Sequence, residues 1–212
     1  VKVEVVIPFA SDDPYRVKAL QTIRDFYRDE FPDWPILYAS SSLPFNRAAA
    51  VNAAVRASPA EIVVLNDADT LAPAEQIREA VRLAEEAPGF VWAYTLYLRL
   101  SRTVTEESRD WRDALTAPAE WGMVGAGSQG ASAVRRDWFL NLGGLDERFA
   151  GWGYEDLEFN WRADATDTSR RVPGELRHLW HGDRRPDDSP LSADPADVER
   201  NYALWKELTG QP

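Results

Sequence analysis

Glu61-Ile62-Val63-Val64-Leu65-Asn66-Asp67-Ala68-Asp69 runs from a continuous apolar stretch into three polar side chains. An uninterrupted β-branched run of this length has the form of a strand buried on both faces. The carboxylates of Asp67 and Asp69 cannot follow it into a core, so the break marks a strand end. Upstream, Val3 to Ile7 is a similar run, ended by Pro8 and entering the loop Phe9-Ala10-Ser11-Asp12-Asp13. Pro14 suits a helix first turn, and Val17, Leu20, Ile23, Tyr27 and Phe31 then recur at three- and four-residue spacing. Ile36 to Ala39 reads as a short strand, and Ala48 to Ala57 is rich in the best helix formers. Downstream, Ile77, Val81, Leu83 and Ala84 give another helical face, and Phe90 to Leu98 reads as a further strand. This alternation predicts an α/β domain of βαβ units, with a mainly parallel central sheet flanked by helices. Ligands of such sheets sit at the carboxyl ends of the strands, where the acidic pairs Asp12-Asp13 and Asp67-x-Asp69 both fall.

The 212 residues fit a single domain, and 44% hydrophobic with 28% charged content excludes collagenous, low-complexity and wholly disordered chains. The net charge of -11 disfavours nucleic acid as a partner. No window approaches the roughly 18 apolar residues of a membrane span, and Val1-Lys2-Val3-Glu4 reads as a strand start, not a leader. With no cysteine, the chain can carry neither a disulfide nor a thiolate site, which points to the reducing cytoplasm. The second half is less regular: a polar stretch from Arg99 to Glu120, small residues from Gly122 to Ala133, a short helix through Trp138, and Gly143-Gly144. From Asp194, Val198, Tyr202 and Trp205 share one face of a closing helix.

Three stretches carry groups able to do chemistry. Asp67-x-Asp69 at a sharp turn can hold a hard divalent cation and, through it, a diphosphate; the plainer reading is a turn whose Asp69 or Thr70 caps the next helix. His178 and His181 are the only histidines. Three residues apart on a strand, they point to opposite faces, so they share a metal only where the backbone turns, and His181 ranks first. In Gly151-Trp152-Gly153-Tyr154-Glu155-Asp156, two acids open a helical run in which Glu158 and Arg162 form an i,i+4 pair. The helix dipole keeps a first-turn carboxylate ionised, so Asp156 can accept a proton late in a reaction, while simple N-terminal capping is the alternative. Among nine tryptophans, Trp121 and Trp152 stand out as cleft candidates.

Taken in order, Phe45-Asn46-Arg47-Ala48 with Asn52, Asp67-Ala68-Asp69, Gly143-Gly144-Leu145-Asp146-Glu147-Arg148-Phe149, Trp152-Gly153-Tyr154-Glu155-Asp156 and His178-x-x-His181 resemble the metal-dependent glycosyltransferases of the GT-A fold. The chain is similar to the β-1,4-galactosyltransferase family and to galactosyltransferase-like domains of bacterial polysaccharide synthases, from Val3 to about Arg185. The resemblance implies one Rossmann-like GT-A domain over 1–212: a nucleotide-sugar half at 1–100, an acceptor and catalytic half at 101–190, and a helical tail at 191–212. It implies that Pro8, Phe9 and Ala10 line the base pocket, and that Phe45, Asn46 and Arg47 hold the uridine diphosphate. Asp67 then approaches the ribose and donor sugar, with Trp152 and Gly153 on the donor side. Asp69 and His181 ligate Mn²⁺ or Mg²⁺; His178 stands where the family has methionine. Glu155 binds the sugars and Asp156 is the base on the acceptor hydroxyl. Tyr154 stands where the galactosyltransferases have glycine, so their sugar preference does not transfer.

The implied reaction is metal-dependent inverting transfer of a hexose or N-acetylhexosamine from a UDP-sugar to a glycan, protein or small-molecule hydroxyl. Related retaining enzymes carry Glu-Asn where this chain has Glu155-Asp156. Two alternatives have their own discriminators. A nucleotidyltransferase needs a Gly-rich basic phosphate loop, which Pro8 to Pro14 lacks. A non-catalytic carbohydrate-binding domain on the same fold has no need of Asp69, Asp156 and His181. Arg99–Glu120 and the Gly125–Gly130 loop are the expected acceptor and lid elements. Arg170, Arg171, Arg177, Arg184 and Arg185 are candidates for the diphosphate or for a local basic patch.

Overall fold

The computed structural model describes residues 1–41, 45–125, 130–151, 153–181 and 195–211. In chain order the elements are β1 (Val3–Pro8), α1 (Pro14–Glu30), β2 (Ile36–Ala39), α2 (Arg47–Ala57), β3 (Ile62–Asn66), β4 (Thr70–Leu71), α3 (Ala74–Glu86), β5 (Phe90–Trp92) and β6 (Leu96–Arg99). They continue with α4 (Arg102–Glu107), α5 (Trp111–Thr116), β7 (Trp121–Val124), β8 (Ala131–Arg135), α6 (Arg136–Asn141), α7 (Glu155–Asp164), β9 (Arg170–Arg171), β10 (Glu175–His178) and α8 (Pro195–Thr209).

The three apolar runs of the first half pair parallel, Val5 facing Ile36 on one side and Val64 on the other. They form one end of a six-stranded sheet of order β2-β1-β3-β8-β5-β9. Only β8 runs against its neighbours there, so the sheet is mainly parallel, as the alternation predicts. Every residue of β3 is buried, as is the whole of β5, and the rings of Trp92, Phe90, Phe139 and Phe159 fill the layer between sheet and helices. Asp13 caps α1 by accepting from the amides of Tyr15 and Arg16 at 3.0 Å, which gives half of the first acidic pair a structural role.

A second sheet, of order β4-β10-β6-β7, is not foreseen in the sequence. Phe90 to Leu98 is accordingly not one strand. Phe90 to Trp92 belongs to the first sheet; the Ala93 amide still donates to Ala131 O, but the Thr95 amide already donates to Gly174 O, one residue before β10 of the other sheet. Gln76 of α3 pins this handover, with Nε2 donating to Ala93 O at 2.6 Å and Glu175 O at 3.0 Å. The capping reading of the aspartate turn also fails: Thr70 and Leu71 form β4, and α3 starts only after Pro73, with no side-chain cap. The closing helix is present as α8, yet its best buried residue is Asn201, while Tyr202 remains 40% exposed. Among the described residues no helix is long and apolar enough to cross a membrane.

Candidate active site

The site is built on the turn that follows β3. Asn66 is buried beneath it, its Nδ2 donating to Asp67 O at 2.7 Å and Thr70 O at 3.0 Å while Oδ1 accepts from Tyr27 at 2.9 Å. These bonds fix the direction in which both aspartates leave the turn. Asp67 is tied on two sides: Oδ1 accepts from Arg47 Nη2 at 2.6 Å and Oδ2 from the Gly130 amide at 3.0 Å. Arg47 opens α2, where the Asn46 side chain caps the helix through the Ala49 amide and donates to Glu147 O. The other arm of its guanidinium, Nη1, lies 3.9 Å from Glu155 Oε1. Burial disfavours the charge of Arg47, but Asp67, Asp156 and Glu155 outweigh it and raise its pKa.

Asp69 faces the opposite way. Its backbone carbonyl accepts from the Leu179 amide at 2.8 Å, bringing the end of β10 against the turn. His178 closes β10 and the chain then turns, so the two histidines meet on one side: Nε2 of His181 lies 3.1 Å from Asp69 Oδ2, Nε2 of His178 lies 3.7 Å from Oδ1, and the two Nε2 atoms are 3.2 Å apart. One ligand atom from each of the three residues falls within 4.8 Å of the others. Burial pushes the His178 imidazole down to about 4, leaving it neutral. Burial would raise the Asp69 carboxyl, but His178, the bond to His181 and Arg16 hold it well below the usual carboxylate range. An ionised carboxylate with neutral imidazole is the protonation state a divalent transition metal requires. Arg16 Nη2 lies 3.1 Å from His181 Nδ1. A guanidinium only donates, so Nδ1 accepts and the neutral ring carries its proton on Nε2.

The third part is the loop before α7. Gly151, Gly153 and Tyr154 all have positive φ, and Tyr154, at 73°, holds a left-handed conformation that a tyrosine seldom adopts. Glu155 and Asp156 follow as the first helical residues, with the predicted Glu158–Arg162 pair at 2.6 Å behind them. The electrostatics of Asp156 correct the sequence expectation. Burial first, then the charges of Glu155 and Asp67, push its carboxyl up to about 8 against the pull of Arg47. The helix dipole, worth a fraction of a kcal/mol to about 2 kcal/mol, is overcome by a low-dielectric site crowded with like charge.

Of the remaining donor-side residues, Pro8 ends β1 at the same sheet edge as Asn66, Phe9 donates its amide to Ala39 O, and Ala10 is exposed. Phe45 packs half-buried on the core, and Gly153 has open space where a side chain would point. Trp152, Ala126 to Gln129, Arg184 and Arg185 lie outside the described residues. Three of the candidate arginines are committed elsewhere: Arg170 to Ala87 O, Arg171 over the Trp92 ring, and Arg177 to Leu115 O and Glu175. Trp121 is 53% exposed, edge-on to Tyr97, whose ring lies 5.6 Å from that of His178. Sequence reasoning missed Arg16 and Tyr97. Arg16 is the first cation after the strand-end loop, and that position was the one available signal.

Residues 121–181, from β7 through His181, match the family model described as the N-terminal domain of galactosyltransferase. No curated protein matches the chain in sequence. Among solved structures, it is similar to glucosyl-3-phosphoglycerate synthase from Mycobacterium tuberculosis, in complex with Mn²⁺, UDP-glucose and phosphoglyceric acid: 17% identity, 100% of this chain and 80% of that one, TM-score 0.53. It is also similar to a mannosyltransferase from Pyrobaculum calidifontis, in complex with GDP-Man and Mn²⁺: 18% identity, 97% and 69% coverage, TM-score 0.51. A Drosophila β1,4-galactosyltransferase 7 variant, in complex with manganese, UDP-Gal and xylobiose, matches at 20% identity and TM-score 0.49 over 80% of this chain. The chain spans 64% of the length of that fly protein. The likeness is one of fold: this is a GT-A fold, and over 121–181 it resembles the galactosyltransferases.

Proposed function

We propose that the protein is a metal-dependent inverting glycosyltransferase that moves a hexose or N-acetylhexosamine from a UDP-sugar to an acceptor hydroxyl. The observation that carries this reading is a single site with two unlike acidic ends: Asp69 among two imidazoles, and Asp156 with Glu155 against Arg47 and Asp67. The carboxylate and two imidazoles fit Mn²⁺, with Mg²⁺ a poorer match to nitrogen donors. Asp69, His181 and His178 would hold the cation, whose chemistry is to neutralise the departing diphosphate. Pro8, Phe9 and Ala10 would line the base pocket at the end of β1. Arg47 places a fixed positive charge beside the donor while Asp67 keeps it oriented; Phe45 and Asn46 set the start of α2, and Gly153 with Trp152 would lie along the sugar.

Asp156 is the general base in this reading. A carboxyl with its affinity for protons raised to about 8 takes the acceptor proton more readily than an ordinary aspartate. Glu155, buried and facing Arg47, would hydrogen-bond the sugars, and its charge raises the affinity of Asp156 for the acceptor proton. The exposed Trp121 face offers an apolar platform for an acceptor, which we place among glycans, proteins or small molecules bearing a hydroxyl. The whole chain acts as one domain in this account, and the lack of cysteine suits a cytoplasmic site.

The test is turnover of UDP-galactose, UDP-glucose, UDP-GlcNAc and UDP-GalNAc with Mn²⁺, read as UDP release, followed by the anomeric coupling constant of the product. Consumption of one donor and a β-configured product are expected. An α-configured product would remove Asp156 from the base role; no consumption of any nucleotide sugar would leave a glycan-binding relative as the better reading.

A further inference from the structure

The loop that delivers Glu155 and Asp156 is held from behind by α8. Asn201, 1% exposed, lies under it and donates Nδ2 to Ala150 O at 3.0 Å and to Gly153 O at 3.2 Å. Arg200 adds a bond to Ala150 O at 2.9 Å while paired with Asp197 at 2.7 Å. A side chain at Gly151, where φ is 76°, would collide with the Asp197 carboxylate, so the loop backbone sits directly on the helix. Tyr154 completes the contact: its ring lies 5.4 Å from Tyr202 and 5.8 Å from Trp205, which stack on each other at 19°. Left-handed backbone is unfavourable for a non-glycine residue, and surrounding structure must impose it. Here the imposing structure is the aromatic face of α8.

These contacts end where α7 begins, since Tyr154 O accepts the first helical bond from Glu158 N. A buried amide bonded to both Ala150 O and Gly153 O ties the backbone at Gly153, two residues before Glu155, to α8. We propose that Asn201 is a positioning residue for the reaction, and that α8, through Asn201 and the Tyr154 stack, sets the geometry of Glu155 and Asp156. The inference rests on the transferase reading above. A placement error of about 1 Å at a reacting group costs on the order of a hundredfold in rate, so a device of this kind acts on kcat with little effect on donor affinity.

Asn201→Asp tests it, because the isosteric carboxylate keeps the volume but turns an acceptor toward both carbonyls. The expected result is a fall in kcat of about tenfold or more, with the donor KM and the Mn²⁺·UDP thermal shift changed less than twofold, and faster amide exchange confined to the peptide spanning 150–156. Arg200→Met, which removes an exposed partner of the same carbonyl, is expected to give a smaller fall of the same kind and serves if Asn201→Asp does not fold. The assay is UDP release from the donor that the wild type consumes fastest, run well below each variant's unfolding midpoint. A variant with the loop exchange raised and kcat unchanged overturns the inference alone. A wild type that consumes no UDP-sugar overturns the reading beneath it and the inference with it.

Discussion

Asp67 and Asp69 leave one turn, yet Asp67 is bonded to Arg47 and the Gly130 amide, whereas Asp69 faces His178 and His181. The Arg47 side gathers three carboxylates around one cation, so a proton is stabilised on it and Asp156 rises to about 8. The imidazole side holds one carboxylate and two rings, of which His178 is driven down to about 4, so it is poised for a cation and not for a proton. The contrast shows how a fold separates charge neutralisation from proton transfer within a few residues: through the partners each carboxylate is given, not through its own chemistry.

The largest way to break the contrast is at Asp69. Asp69→Asn is expected to abolish Mn²⁺ binding and lower turnover by at least about a thousandfold, several kcal/mol of charge stabilisation at about 1.4 kcal/mol per factor of ten. Asp67→Asn is expected instead to act mainly through Arg47, lowering stability by about 1 to 3 kcal/mol while Mn²⁺ still binds. Calorimetric metal titration and denaturant unfolding separate the two; equal loss of metal affinity in both would erase the distinction. On the other side, Asp156→Asn is expected to cost about a hundredfold or more in kcat with Mn²⁺·UDP binding intact.

The pH profile sharpens the comparison. Asp156 is protonated below its raised pKa and able to accept a proton only above it. Turnover is therefore expected to fall by about tenfold per pH unit below pH 8 and to level off above it, and Asp156→Asn to lose that limb. A limb near pH 4, as for an ordinary aspartate, would contradict the crowded-carboxylate account. The smallest effect is expected at Arg16. While its guanidinium faces His181 Nδ1, that nitrogen cannot carry the proton a ring coordinating through Nε2 needs, so Arg16→Met is expected to tighten Mn²⁺ binding by up to about tenfold, measured by titration without nucleotide.

Much of the first hundred residues was legible because their apolar spacing is regular. β1, β2 and β3 are continuous apolar runs, α1 and α3 follow a 3.6-residue pattern and α2 is rich in strong helix formers, and the elements of the fold agree with them. The second sheet was not legible: β4 is two residues long and β7 is exposed along its length, so neither periodicity nor hydrophobicity marks them. Nor could the sequence place Phe90–Leu98 in two sheets, since the division depends on Gln76 and Gly174 from distant parts of the chain. At the site, the meeting of His178 and His181 was expected only if the backbone turned, and the Leu179 bond to Asp69 O supplies that turn. The raised pKa of Asp156 is not legible locally: the sequence shows the helix dipole, whereas the burial of the carboxyl and the charge of Asp67 beside it arise only in the folded chain.

The most direct test is thermal unfolding with UDP alone, Mn²⁺ alone and both together, with GDP in place of UDP as control. At a hundredfold excess over the dissociation constant, binding adds about 2.7 kcal/mol, and each kcal/mol moves the midpoint of a chain this size by roughly 2–4 °C. A shift of several degrees that requires UDP and Mn²⁺ together, and that disappears in Asp69→Asn, is the predicted result. No shift with either nucleotide, or an equal shift in the absence of Mn²⁺, would contradict a metal-bridged uridine diphosphate site at Asp69, His178 and His181.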